Sequence, residues 1–108
     1  NEAFPDITID CTSQGVEAAK NNANALFAKG SLSESVRWFS KAIWLVQSKR
    51  VPGVPADLQS ILHSNRAFAY IKLQKWSEAA EDCSEALAKN GKNTKAKYRR
   101  AMACFELG

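Results

Sequence analysis

The sequence has little of what carries chemistry unaided. It holds one histidine, His63, and three cysteines, Cys11, Cys83 and Cys104. The cysteines are odd in number and far apart, with no C-x-x-C pair and no Cys/His cluster. Neither a zinc site nor a disulfide framework is therefore expected, and a reducing, cytosolic compartment fits. Cys83 and Cys104 read as small core filler. No Ser/His/Asp, Cys/His or paired-carboxylate arrangement is apparent, and no glycine-rich phosphate loop, so no enzyme, cofactor or metal is expected. His63 lacks a partner nearby in sequence and reads as a packing or surface residue. No run of about 18 apolar residues and no signal peptide is visible, so no membrane partner is expected.

What is present reads as helix. The chain has 108 residues, 45% hydrophobic and 24% charged, which suits a soluble globular domain or a piece of a larger protein. It opens without Met and stops at Leu107-Gly108, as an excised piece would. The net charge of +4 is a mild bias toward acidic partners.

Residues 1–12, NEAFPDITIDCT, show no clear period. Pro5 and the β-branched Ile7, Thr8 and Ile9 argue against a helix. The stretch reads as an extended lead-in, either a linker, the preferred reading, or a strap packing Phe4 or Ile7 on the first helix. From Ser13 to Lys29, Val16, Ala19, Ala23, Leu26 and Phe27 recur at helical steps, and Gly30 breaks the helix. Ser33 followed by Glu34 reads as the N-cap of a second helix, Ser33 to about Ser48, striped by Val36, Phe39, Ile43 and Val46. Residues 13–48 thus form an antiparallel helix pair.

Residues 49–56, KRVPGVPA, form an inserted loop. A second pair spans 57–91, its first helix packed through Ile61, Leu62, Ala67, Tyr70 and Ile71, and its second capped by Ser77. The residues Ala79, Ala80, Cys83, Ala86 and Leu87 permit close helix packing. Asn90-Gly91 ends the pair, and 93–108 is one more first helix, with Met102, Cys104, Phe105 and Leu107 uncovered.

These units repeat. Asn65-Arg66-Ala67 returns as Arg99-Arg100-Ala101, and Gln74 maps onto Gly108, each 34 residues on. The loop lengthens the first repeat, so Ala42 and Ala86 are 44 apart. Matching slots are Ala23, Leu26, Ser35, Phe39 and Ala42 in the first repeat, Ala67, Tyr70, Ala79, Cys83 and Ala86 in the second, and Ala101 and Cys104 in the third. The pattern resembles the tetratricopeptide signature. Departures are Ala19, His63 and Lys97 at its Trp slot, and Gln47 and Gly91 at its closing Pro. The resemblance covers about residues 15–108. It implies an all-α fold of antiparallel helix-turn-helix repeats stacked into a right-handed superhelix, with two full units and the first helix of a third. The concave face is then lined by the first helix of each pair.

On that face the sequence places Lys20, Asn24 and Phe27, then Asn65, Phe68 and Lys72, then Lys95, Tyr98, Arg99 and Met102, each set at helical spacing. The expected groove holds cations, carboxamides and aromatics, with no acid. Lysine and arginine give charge-assisted hydrogen bonds to carboxylates, and asparagine donates without adding charge. Asparagine is a poor helix former, so Asn24 and Asn65 need a reason to stand mid-helix.

The constellation resembles the carboxylate clamp of chaperone-binding tetratricopeptide domains, with Lys20, Asn24, Asn65, Lys95 and Arg99 in its five slots. The resemblance implies a co-chaperone module in the cytoplasm, or also the nucleus, that binds the Glu-Glu-Val-Asp C-terminus of heat-shock protein 90 and/or 70. It implies that Lys20, Asn24 and Asn65 hold the terminal carboxylate and Asp, and that Lys95 and Arg99 meet groups further up the peptide. Phe27, Phe68, Lys72 and Tyr98 are candidate secondary contacts. The alternatives are a scaffold for another protein without clamp activity, and a basic nucleic-acid surface running from Lys89 to Arg100. The second is disfavoured because Lys97 and Arg100 face away from the groove.

Overall fold

The computed structural model describes residues 1–108 and contains five helices and no strand. They are α1 (Ser13–Ala28), α2 (Leu32–Gln47), α3 (Ala56–Lys72), α4 (Trp76–Lys89) and α5 (Thr94–Leu107). The architecture is the all-α helical repeat that the residue period predicts. No helix is long and apolar enough to cross a membrane.

Each helix packs on the next in sequence, and α1 also touches α3, as α3 touches α5, whereas α2 and α4 do not meet. The stack is therefore tighter on the side of α1, α3 and α5. That side is concave, and it faces the candidate groove.

The helix starts differ from those read in the sequence. Thr12 caps α1, its Oγ1 accepting from Gly15 N at 2.9 Å, and Asn93 caps α5 by accepting from Ala96 N at 3.0 Å. Ser33 and Ser77, expected as caps, instead lie inside the first turns of α2 and α4, whose cap positions are Ser31 and Lys75. The reason lies in the preceding turns. Gly30 (φ +82°) and Gln74 (φ +60°) take left-handed backbone and reverse the chain at once. Ser31 N and Lys75 N then bond back to Leu26 O and Tyr70 O, leaving no room for a longer entry.

One core runs through α1, α2 and the start of α3, including Val16, Ala23, Phe39, Ile43 and Leu62. A smaller one joins Ala67 and Ile71 of α3, Ala79 and Cys83 of α4, and Ala103 of α5. Cys83 is buried filler as expected, and burial pushes its thiol up to about 11. Cys104, expected to be the same, is exposed, on a face of α5 that α1 to α4 do not cover. Trp38 and Trp44 pack against the larger core and Trp76 against the smaller. Ile61, read as a packing residue, is exposed.

His63 has its partner across the helix pair. Its Nδ1 lies 2.9 Å from Asp82 Oδ1 on α4, and Arg66 grips the same carboxylate through Nε and NH2 at 2.7 Å each. Arg66 also donates to Ser40 Oγ at 3.0 Å, tying α2 to the pair. Burial works against the Arg66 charge, but Asp82 outweighs it and raises the Arg66 pKa.

Two segments read as loop or linker are built into the core. Val51 and Val54 of the inserted loop are buried. The lead-in is not a free linker: Ile7 is 4% exposed and joins the larger core with Ile9, and Phe4 packs against it. Lys41, only 1% exposed, fixes this strap. It pairs with Glu2 and donates to Ala3 O at 2.9 Å and Phe4 O at 3.3 Å. Arg37 adds Asp6 at 2.7 Å and Glu34 at 2.8 Å. A linker reading failed because the strap is tied by side chains that have no periodic signature.

Replacing Ile7 with Ala is expected to cost about 2–5 kcal/mol in chemical denaturation, the range for a core isoleucine, whereas a loss below about 0.5 kcal/mol, typical of a surface site, would place the strap outside the core. The strap is also expected to respond to acid. The hydrogen bond from Lys41 holds the Glu2 carboxyl below its usual range, and that from Arg37 does the same for Asp6. Folded values below the unfolded ones mean that their contribution is full above the ordinary carboxylate range and is lost as the pH falls through the folded values. The protection factor of the Ile7 amide, which donates to Phe4 O at 3.0 Å, should fall below about pH 4 before those of α3 and α4; a protection factor that is constant between neutral pH and pH 3 would contradict this.

Candidate functional site

The middle helix of the concave side, α3, supplies the centre of the site. Ile61, Asn65, Phe68 and Lys72 lie at helical spacing along it. Asn65 bridges its neighbours on both sides. Its Nδ2 donates to Asn24 Oδ1 on α1 at 3.2 Å, and its Oδ1 accepts from Arg99 NH1 on α5 at 3.3 Å. This cross-helix role is the structural reason for asparagine within α1 and α3.

Arg99 is anchored more firmly than a free surface cation. NH1 also donates to Ser64 O at 2.9 Å and to Ser64 Oγ at 3.0 Å, and the guanidinium carbon lies 4.4 Å from the centre of the Phe68 ring. Burial lowers its pKa from the ordinary arginine value, which still leaves it a cation. Nε and NH2 bond to no protein group and remain free to donate.

Phe68 gathers the rest. Phe27 stacks on it with ring centres 5.0 Å apart and an angle of 26°. Lys72 Nζ lies 5.3 Å from its ring centre. A cavity of about 300 Å³ opens beside it, lined by Phe68, Thr94, Lys95, Tyr98 and Arg99. Tyr98 is 69% exposed at its rim.

The structure therefore joins Asn24, Asn65 and Arg99 in one hydrogen-bonded chain across three helices. It joins Phe27, Phe68, Lys72 and Arg99 through ring contacts, and Lys95 and Tyr98 through the cavity. Lys20 makes no hydrogen bond or cation–π contact with any of these. Its side chain is 17% exposed and its Nζ pairs with Glu17 Oε2 at 2.5 Å. The expectation of a groove without acid is corrected by this contact: Glu17 precedes Lys20 by three residues on α1 and neutralises it in the unliganded molecule.

Three groove residues escaped the sequence reading: Glu17, Ser64 and Ile61. The repeat register could have found two of them. Glu17, Ile61 and Lys95 are separated by 44 and 34 residues, the same offsets that relate the three repeats. Ser64 carries no such signal, since its part is played by its carbonyl and hydroxyl under Arg99.

The site is thus a row of amide, guanidinium and ammonium donors beside an aromatic wall. It can hold an elongated anion with an apolar side group.

The tetratricopeptide repeat model matches residues 60–93. The chain is 40% identical over 87 residues to the mitochondrial import receptor subunit TOM70 of Rattus norvegicus, a stretch covering 81% of this chain and 13% of that protein. It is 37% identical over 76 residues to the mitochondrial import receptor subunit TOM34 of Homo sapiens, covering 70% of this chain and 21% of the relative. It therefore spans only a small part of the relatives it matches. Among solved structures, the second tetratricopeptide domain of Spaghetti (RPAP3), bound to the HSP90 peptide SRMEEVD, superposes with a TM-score of 0.76 at 31% identity over 89% of this chain and 80% of that one. The Hsp90 co-chaperone Cns1 from Saccharomyces cerevisiae superposes with a TM-score of 0.75 at 29% identity, over 86% of this chain and 28% of that one.

Proposed function

This chain belongs to the tetratricopeptide repeat family, and we propose that its concave groove captures the C-terminal Glu-Glu-Val-Asp tail of cytosolic heat-shock protein 90 and/or 70 through a carboxylate clamp. The observation that carries this reading is the chain of donors running from Asn24 through Asn65 to Arg99, flanked by Lys20 and Lys95, along one face of three helices. Its likeness to a domain solved with an HSP90 peptide ending in Glu-Val-Asp supports the choice of ligand.

In this mechanism the tail binds extended. Lys20, Asn24 and Asn65 hold the terminal carboxylate and the last Asp. Asn24 Nδ2 donates to no protein group, and Asn65 Nδ2 uses one hydrogen on Asn24 and keeps the other. Lys95 and the free Nε and NH2 of Arg99 meet carboxylates and carbonyls further up the tail, and Lys72 offers one more cation. The cavity beside Phe68 and Tyr98 takes an apolar side chain, with Phe27 backing the wall. Arg99 is preorganised by Ser64 and Phe68, so little of its freedom is lost on binding. Ordering a flexible tail opposes association, and affinity is expected in the micromolar range, about −8 kcal/mol at 1 μM.

Titration calorimetry of alanine variants tests the assignment. Lys20→Ala, Asn24→Ala and Arg99→Ala should each weaken binding by at least ~1.5 kcal/mol, because each deletes hydrogen bonds to a charged group. Affinity retained in all three would refute the clamp. Glu17→Gln should act in the opposite direction. Releasing Lys20 from a partly exposed ion pair should tighten binding by roughly two- to fivefold, and a weaker complex would show that Glu17 helps the ligand rather than competing with it.

A further inference from the structure

Away from the groove, α2 and α4 do not meet, and the crevice between them opens as a cavity of about 560 Å³. Its floor is α3, through His63, Arg66 and Tyr70, and one wall is α4. Ala80 and Ser84 on that wall are too small to fill it. Glu78, Glu81 and Glu85 stand beside them, three and four residues apart and so aligned on one face of α4. All three are exposed, and none enters an ion pair. Gln47, the last residue of α2, lines the other side, where the helix end adds a negative partial charge. The chain as a whole carries +4, so this concentration of acid runs against its net charge.

The floor adds a buried acceptor. His63 is 4% exposed, and its Nδ1 donates to Asp82 Oδ1 at 2.9 Å. That leaves Nε2 of the neutral ring with a lone pair. Nε2 bonds to no protein group, yet no fully buried side-chain nitrogen or oxygen lacks a partner. Nε2 therefore belongs to the small exposed part of His63, which opens on the cavity. Arg66 is the one cation among the lining residues, and both oxygens of Asp82 already match it. Lys89 lies four residues beyond Glu85 at a smaller side cavity and forms no ion pair with it. The crevice thus offers one ring acceptor and three unmatched carboxylates. They do not converge on one point as the ligands of a metal ion would, so a fitting ligand spreads several donors.

We propose that this crevice is a docking site for an arginine-bearing segment of a partner protein. The guanidinium enters between α2 and α4, donates to His63 Nε2 at the floor, and turns its other N–H groups to the row of Glu78, Glu81 and Glu85. Its five donors fan out in one plane, which suits acceptors that are spread over a floor and a wall. An ammonium is a compact, strongly hydrated point charge and reaches fewer of them. The crevice is distinct from the groove and takes a cation where the groove takes an anion, so it stands whether or not the clamp reading does.

The probe is an acetylated and amidated Gly-Arg-Gly-Arg-Gly peptide, which carries no carboxylate for the groove to take. Titrated into the 108-residue chain, it should give saturable shifts of the His63 ring resonances and of the Glu81 and Glu85 amides. Glu81→Gln combined with Glu85→Gln should weaken binding by roughly fivefold and leave the fold intact, since both side chains are exposed. His63→Asn keeps an N–H donor for Asp82 and deletes Nε2, and it should weaken binding as well. Glu106→Gln changes an exposed acid on α5, outside the crevice, and should leave the affinity unchanged. The same peptide with lysine in place of arginine should bind more weakly. No saturable shift, shifts confined to acids outside the crevice, full affinity in the double variant or in His63→Asn, or a lysine peptide that binds as tightly would each overturn the proposal.

Discussion

The whole arrangement depends on how closely its helices approach. Ala23 on α1, Ala42 on α2, Ala67 and Ala69 on α3, Ala79 and Ala86 on α4, and Ala96 and Ala103 on α5 are all fully buried. A methyl group at the crossing lets backbones come near enough for short hydroxyls to reach across. Ser35 Oγ donates to Ala23 O at 2.8 Å, and Ser60 Oγ donates to Ala86 O at 2.7 Å. Asn93 Nδ2 donates in turn to Ser60 Oγ at 2.9 Å, fixing the start of α5 against α3. These ties set the register between helices, and register decides which side chains meet. A larger residue at any of these crossings would either clash or push the helices apart.

The groove follows from that register. Because α1, α3 and α5 meet on one side while α2 and α4 do not, one face of each of the three helices is turned inward. Asn65 can reach both Asn24 and Arg99 only in this geometry. The polar groups there satisfy one another only partly and keep donors in reserve, which is the property the proposed anion recognition needs. The buried cluster of His63, Arg66 and Asp82 works differently. Its two oxygens are taken up by Arg66 and His63 within the helix pair, so Asp82 holds structure and offers little to a ligand.

Much of this could be read from the sequence because helices announce themselves by period. The stripes ending at Gly30, Ser48, Leu73 and Gly91 located all the helices to within a residue or two, and the 34-residue offset brought Asn65 and Arg99 to equivalent places. What escaped was aperiodic. The strap of Ile7 and Ile9 and the loop valines Val51 and Val54 are buried by chain paths that no repeat describes. The serine caps were misplaced by one turn geometry, set by Gly30 and Gln74. Cys104 and Ile61 look like core on composition alone, and only the positions of the neighbouring helices show that one lacks a cover and the other faces the groove side. Glu17 carries no signal among the groove residues set out at helical spacing, and only the side-chain geometry shows that it pairs with Lys20.

The central claim is that the groove recognises a free chain terminus carrying carboxylates. Calorimetric titration with a peptide ending in Glu-Glu-Val-Asp, beside the same peptide with an amidated C-terminus, tests it most directly. The account predicts micromolar binding of the free acid and its loss on amidation, because the amide removes the charge that Lys20, Asn24 and Asn65 are placed to hold. Equal binding of both peptides, or of neither, would contradict it and leave the chain a helical-repeat scaffold for a different partner.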